Sequence, residues 1–508
     1  MRKKKAFINV SVNIISFIIS FIPNLVVRRY FLQTLGSDIL GLSSLYTNII
    51  GWISIIEMGI GTTIIYSLYK PFAHENKEEI NGYMKLYRKF YRIIGIIVLI
   101  IGFVISPFVK FFINGNIEEN IVIVGFIMYL LNTFLSYMFT HRLCILNVAQ
   151  NGYKVTIATT ISKLVIATLQ VVMLNLYPNF ILYILIQIVI NLIYYIMINV
   201  YISNQYPWLN EADGQLEKEK EKNLLKNVKA MFMHKIGELV VLSTDNIVIS
   251  KFVGLTELSK YTSYNMIISA FQSIVTNGLR GITASIGNML IEGNKLKAYD
   301  IHKKVFFINF WVVSFLTISL YNTLNQFVVI WIGKENLLDN YTFLVILINM
   351  YFASMRGSIE RFQEGSGYYQ QDRYAPMVEA AINLIVSIAL VSKIGIVGVF
   401  IGTLVSNFTV VFWTKPYVVY KYVFNVELKE YFKMYFKYAF IAYLVLLITN
   451  KLTLGFKFEY TISAFIINVL INILTINSIY VLLFMKKDEF KYFTKTFKFS
   501  KKKQIVQQ

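Results

Sequence analysis

The sequence predicts an all-α polytopic membrane protein: 14 transmembrane helices, built as two six-helix bundles related by a parallel pseudo-two-fold repeat, with two further helices at the C-terminal end. Three observations predict it: the composition, the side of the membrane on which the basic residues fall, and an internal repeat. Of 508 residues, 56% are apolar and 16% aromatic, and the mean hydropathy is +0.57. A soluble chain of this length needs a polar coat. A hydrocarbon layer about 30 Å thick instead asks for about 20 apolar residues per helix.

Apolar runs bounded by charged interruptions place the crossings at 6–27, 39–69, 93–113, 120–141, 155–176, 179–202, 230–250, 261–290, 305–332, 341–359, 375–392, 394–414, 438–450 and 460–485. The start, Met1-Arg-Lys-Lys-Lys5, looks like the basic end of a signal peptide. The run from Ala6 to Val27 is of full span length and lacks a small-residue cleavage site, so it predicts a retained first helix. These limits divide the chain into an N-terminal bundle (1–210), a cytoplasmic linker (211–229), a C-terminal bundle (230–423), helices 13 and 14 (424–485) and a basic cytoplasmic tail (486–508).

Loops on the cytoplasmic side carry the excess of Lys and Arg. With the N-terminus inside, 39 of the 49 basic residues fall inside, those of 142–163 among them. Nine fall outside: Arg28, Arg29, Lys110, Lys251, Lys260, Lys334, Lys393, Lys451 and Lys457. Arg280 alone is counted within a span. One span too many or too few would invert the assignment beyond it, so the bias predicts an even count with both termini in the cytoplasm, in a bacterial cell membrane. The net charge of +21 thus reports topology and attraction to anionic lipid rather than nucleic acid, for which no recognisable module is present. The tail interleaves Lys with aromatics and reads as a segment lying on anionic lipid.

Other chemistries lack their signatures. Cys144 is alone, so no disulfide or CxxC pair forms. The four His are scattered without ligand spacing, so neither a metal site nor a cofactor is expected. No GxxxxGK[ST] loop occurs.

A shift of 218 residues aligns Gly36 with Gly254 and Tyr46 with Tyr264 without a gap, with 10 identities over the 45 residues 36–80. The register maps the first crossing onto the seventh and the second onto the eighth. Six helices per half in the same orientation predict a parallel repeat, with a site between the halves near the midplane.

The stretch Gly41-Leu-Ser-Ser-Leu-Tyr-Thr-Asn-Ile-Ile-Gly-Trp-Ile-Ser-Ile-Ile-Glu-Met-Gly-Ile-Gly61, with Ile65-Tyr-Ser-Leu-Tyr-Lys-Pro71, resembles the second helix of the bacterial polysaccharide flippases. Thr244-Asp-Asn-Ile-Val-Ile-Ser-Lys-Phe-Val-Gly254, with Tyr261 and Tyr264, resembles their seventh and eighth helices. These are the oligosaccharide-lipid translocases of the multidrug, oligosaccharidyl-lipid and polysaccharide exporter superfamily. The resemblance implies two bundles around a cavity that opens alternately to each side. It also implies transport of undecaprenyl-diphosphate-linked oligosaccharide for cell-surface polysaccharide synthesis, with room for other polysaccharide-assembly proteins as partners. In the related lipid II flippases, helices 13 and 14 form a groove for the lipid tail, and the two extra helices here match that role by position.

Charges inside spans are functional candidates because hydrocarbon penalises them. Arg280 lies about 15 Å deep at 1.5 Å per residue, and its guanidinium fork suits a diphosphate; a structural ion pair is the competing role. Glu57, deep in the second crossing, is open to carrying a coupling proton, pairing with Arg280, or bonding between helices beside Gly59 and Gly61. Arg28 and Arg29 end the first crossing, either as interfacial anchors or as cavity cations. Glu238 and Asp245 share one face of the seventh helix, with structural and coupling roles both open. Arg142, Arg356, Glu360, Arg361 and Arg373 sit near cytoplasmic ends, as an inner gate or, the reading favoured, as anchors. Two alternatives remain. A drug or cation exporter of the same superfamily would favour unpaired carboxylates, which Glu57 and Asp245 keep open. A membrane-embedded glycosyltransferase or polymerase would use large acidic or His-bearing outer loops, and the outer loops are short. No enzymatic activity is therefore expected.

The topology predicts that a cysteine placed at Asn116 is labelled from outside intact cells, whereas cysteines at Glu219 and Lys502 are labelled only from inside. Labelling of position 502 in intact cells would overturn it.

Overall fold

A computed structural model describes residues 2–494, apart from 58–59, 212–213, 215, 292 and 458. Among the described residues the regular structure is entirely helical, as backbone in hydrocarbon requires: each N–H and C=O finds its partner within its own segment.

The helices are α1 (Arg2–Ile53), α2 (Ile60–Ala73), α3 (Lys77–Ile105), α4 (Glu119–Phe139), α5 (Cys144–Val148), α6 (Gly152–Leu176), α7 (Phe180–Gln205), α8 (Trp208–Glu211) and α9 (Lys218–Phe252), followed by α10 (Leu255–Ile291), α11 (Lys295–Ile332), α12 (Asn340–Ser366), α13 (Ala375–Ile394), α14 (Ile396–Ser406), α15 (Phe412–Val418), α16 (Leu428–Lys457) and α17 (Ile462–Phe484). Every predicted crossing falls on one of them. The first two run together because α1 is broken by no loop, only by Gly36 at φ 84°, ψ 171°, a backbone shape open chiefly to glycine. The second crossing then continues through a 3₁₀ turn, Ser54–Glu57, into α2.

Among the described residues, 11 helical segments are long and apolar enough to cross a membrane. The segments that fall short are α2, α9 and α10. α9 carries Lys235, Glu238, Asp245 and Lys251, and α10 is rich in Ser, Thr and Asn. Helices this polar cannot present their whole circumference to lipid.

The chain divides into two compact units, Met1–Ser259 and Lys260–Gln508. In the first, α1 packs along α6, α3 along α4, and α7 against both α4 and α6. The sequence reading groups 230–250 with the second bundle. In the structure α9 packs on α1 and α2 of the first unit. Its far end is tied there by polar contacts: Ser250 Oγ donates to the Phe112 carbonyl at 2.6 Å, and the Asn114 N–H donates to the Ser250 carbonyl at 3.1 Å.

In the second unit α11 is the central rod and packs against α12, α16 and α17. Its lower half is aromatic, with Phe310 stacked on Tyr438 at 4.5 Å and the Tyr480 hydroxyl donating to Ser314 Oγ at 2.8 Å. Its upper half is a polar ladder. Asn322 Nδ2 donates to Asn472 Oδ1 at 2.7 Å and to Thr449 Oγ1 at 3.1 Å. Asn468 Nδ2 donates to Gln326 Oε1 and to the Asn322 carbonyl, both at 3.1 Å. The two C-terminal helices, predicted as additions to the repeat, are therefore bonded to α11 along its length.

The 218-residue repeat is visible in local geometry. Tyr46 and Tyr264 are each fully buried. Tyr46 meets Phe126 edge-on at 5.6 Å, and Tyr264 meets Phe343 edge-on at the same distance. Gly36 and Gly254 both have positive φ. Asn76 caps α3 by accepting from the Glu79 N–H, and Asn294 caps α11 by accepting from the Lys297 N–H.

The ladder predicts that Asn322→Ala, which strands Thr449 and Asn472, lowers stability by roughly 1–2 kcal/mol, the range of interhelical hydrogen bonds in membranes. Thermal unfolding in detergent measures it. Adding Asn472→Ala should cost less than the sum of the two single changes, because both act on one bond.

Candidate functional site

Each unit carries charged side chains within its membrane-length helices. In the first unit Glu57 ends the 3₁₀ turn between α1 and α2. Its Oε1 accepts from the Tyr91 hydroxyl of α3 at 2.5 Å. Tyr91 in turn meets Tyr87 at 4.5 Å and Tyr137 at 5.7 Å, both edge-on. Of the three roles open to Glu57, the structure shows the bond between helices, to a tyrosine. Gly61 makes room for this cluster: a Cβ there would stand 3.0 Å from the Tyr87 hydroxyl and 3.3 Å from that of Tyr91.

The cations of the first unit are dispersed. Arg28 is half-buried and its Nη2 donates to the Ser259 carbonyl at 3.2 Å, whereas the neighbouring Arg29 is exposed. Arg142 lies in the 3₁₀ turn Thr140–Leu143 and donates through Nη1 to Ser203 Oγ at 3.0 Å. Asp245 is half-buried on α9; the side chain of Glu238 lies outside the described residues. Lys163 requires a correction. Counted above with a cytoplasmic loop, it is the twelfth residue of α6 and is exposed near the middle of that span. Eleven residues at 1.5 Å each put it about 17 Å along the helix.

The second unit concentrates its charges. On α12, Arg356 Nε donates to Glu360 Oε1 at 2.9 Å and Arg361 Nη1 to Glu364 Oε2 at 2.7 Å. Arg361 also stands 3.8 Å from Glu360. The spacings of three and four residues place these pairs along one side of the helix. Two more helices complete the cluster. Glu379 of α13 is buried within electrostatic reach of Arg356 and Lys415. Lys415 of α15 donates to Gln363 Oε1 at 3.5 Å. Three cations, Arg356, Arg361 and Lys415, thus balance three carboxylates, Glu360, Glu364 and Glu379. With its side chain 8% exposed, Arg361 is folded into the unit. Anchors reach outward to water, so burial and mutual pairing depart from the favoured reading of Arg356, Glu360 and Arg361. Arg373 does lie outside the helices, its guanidinium 4.6 Å over the Tyr374 ring.

Arg356 Nη1 also donates to Asn407 Oδ1 at 2.7 Å. Asn407 opens a π-helical turn, 407–411, between α14 and α15, and a second π turn follows at 419–424. Such turns leave a helix locally wide and often mark functional positions. Sequence reading missed Glu379, Glu364 and Lys415. A carboxylate five residues into an apolar crossing was the available signal for Glu379.

Arg280 differs from all of these. It lies on α10, exposed, with no hydrogen bond or ion pair to another described residue. Eleven residues separate it from the end of α10 at Ile291. Its neighbours Thr276, Asn277, Gly278 and Gly281 are exposed as well, while Val275 and Leu279 turn into the unit.

The α12 pairs predict that Arg356→Ala costs on the order of 3 kcal/mol, because it leaves Glu360 charged and buried without its partner. Membrane abundance and thermal unfolding measure the loss, and adding Glu360→Gln should recover part of it. Full stability of Arg356→Ala would mean that the pair is not desolvated.

No protein-family model and no curated protein matches this sequence. Solved structures do match. A lipid II flippase, MurJ, in an inward closed conformation superposes with a TM-score of 0.71 at 13% identity, covering 94% of this chain and 99% of the other. An inward-facing multidrug resistance MATE family transporter of the MOP superfamily gives 0.63 at 13% identity, over 80% of this chain and 95% of the other. A point mutant of the Vibrio cholerae MATE transporter VcmN gives 0.54 at 12% identity, over 84% and 99%. The chain has the all-helical fold shared by this lipid II flippase and these MATE transporters.

Proposed function

We propose that the protein transports an anionic, lipid-linked oligosaccharide across the bacterial cytoplasmic membrane by alternating access, through 14 crossings with both termini inside. The observation that carries the reading is Arg280: a cation exposed near the middle of a membrane-length helix too polar to face lipid throughout. A permanent charge in that position is tolerated where water or a charged ligand meets it. Guanidinium donates two parallel hydrogen bonds to a diphosphate such as that of an undecaprenyl-linked sugar. Likeness of fold to a lipid II flippase supports a lipid-linked substrate.

Arg29 and Lys163 are exposed cations of the same kind in the first unit and are proposed to assist. Glu57, held by Tyr91, is the group proposed to carry a coupling proton: its release or uptake would break or remake a bond between α3 and the turn that interrupts the second crossing. The balanced cluster on α12 is assigned to the inner gate, with the π turn at Asn407 as the part that yields. The exporter reading needs a carboxylate open to a cation. Glu57 is taken by a tyrosine and Glu379 is buried among cations, so the anionic substrate is favoured.

Arg280 decides between them. Arg280→Ala should abolish most transport while leaving membrane abundance normal, since no buried acid is stranded. Arg280→Lys keeps the charge without the fork and should be intermediate. Complementation of polysaccharide export, scored beside abundance, measures both. Normal export by Arg280→Ala at normal abundance would remove the anionic-substrate reading.

A further inference from the structure

The second unit holds a pair of cations at the membrane boundary that no acid of the unit bonds to directly. α17 ends at Phe484, and Lys487 follows three residues later. Its side chain does not extend freely. It folds back over two buried rings, with Nζ 5.2 Å from the Phe484 centroid and 5.6 Å from that of Tyr438. Cation–π contact of this kind fixes an ammonium in place. Beside it stands Lys437 of α16, one residue before Tyr438 and exposed. Burial first, and then the charge of Lys437, hold the Lys487 ammonium below the ordinary lysine range. Glu489 is an acid that acts in the opposite sense, yet neither lysine has a carboxylate within ion-pair distance among the described residues.

Like charges in contact cost free energy, more so where burial lowers the effective dielectric. The C-terminal dipole of α17 favours one cation there, but it gives no reason for the second. An anion seated between the two ammonium groups does.

We propose that Lys437 and Lys487 hold the phosphate of an anionic phospholipid whose chains lie along α16. The case for a lipid rather than a free anion is the surface that leads away from the pair. Lys433, Lys437, Phe440, Leu444 and Leu447 recur at intervals of three and four, so they share one face of α16. Phe440 is 62% exposed, with Leu444 and Leu447 also open, inside a segment of membrane length, Leu428–Phe456. Two cations at the head of an apolar stripe match a phosphate carrying acyl chains. A soluble phosphate would leave the stripe unused. This site is separate from the general attraction of a basic tail, because it needs two named lysines and an aromatic shelf.

The test uses the full-length protein purified in detergent. Native mass spectrometry counts retained phosphatidylglycerol against phosphatidylcholine, and thermal unfolding records the stabilisation each lipid gives. The wild type should retain phosphatidylglycerol preferentially and be stabilised by it. The double change Lys437→Gln with Lys487→Gln should weaken that preference about tenfold, the effect expected for losing one charge-assisted contact. Lys437→Arg with Lys487→Arg should keep it. Lys437→Gln alone, at an exposed position, should weaken it measurably even if Lys487 variants fold poorly. Millimolar inorganic phosphate should not displace the lipid. Equal retention by the double Gln protein, or equal stabilisation by phosphatidylcholine, would overturn the site; displacement by phosphate would overturn the lipid as its occupant. Neither readout depends on transport, so the result stands apart from the function proposed above.

Discussion

A charge that enters hydrocarbon must find water or a partner, and the organisation of this chain follows from how its charges meet that demand. The α12 cluster meets it by balance: three cations and three carboxylates drawn from α12, α13 and α15. Glu57 meets it with a tyrosine hydroxyl. Arg280 and Lys163 meet it by neither means, standing exposed near the middle of their helices. The first two solutions complete themselves within the protein. The third is incomplete without something from outside, which is why ligand contact is assigned to it.

The same medium governs how helices adhere. Lipid tails are as apolar as leucine, so apolar faces alone give little drive for one helix to choose another. Specific bonds and close shapes choose instead. α17 shows both on one face: Ala464, Asn468, Asn472, Ile476, Tyr480 and Phe484, spaced by four, are all buried. Asparagines bond to α11 in one half, and rings stack against it in the other. Hydropathy sees only a long apolar run here. The residues that position the helix are the polar and aromatic ones within it.

Features with a period were legible from the sequence. Apolar runs located a helix for every predicted crossing, and the 218-residue shift located Gly36 with Gly254 and Tyr46 with Tyr264, whose geometries correspond. Features that depend on non-local contact were not. Lys163 was absorbed into a loop count because charge was tallied by segment, and only its place on α6 exposes the error. Glu379 reads as one acid in an apolar run; its meaning comes from Arg356 and Lys415, which arrive on other helices. The alliance of α9 with the first unit rests on Ser250 bonding the backbone of Phe112, 138 residues away.

The repeat sharpens the assignment of roles. What the two copies share is packing: paired glycines with positive φ, paired buried tyrosines, paired asparagine caps. What they do not share is charge. The counterpart of Glu57 at the 218-residue shift is Val275, which is buried in the second unit. The counterpart of Arg280 is Thr62. Had these charges been needed to hold the helical framework, both copies would need them, since both build the same framework. Each copy instead supports a valine or a threonine where the other carries a charge. The acid of the first unit and the cation of the second are therefore additions to a scaffold that packs without them, and the scaffold's remaining task for them is functional.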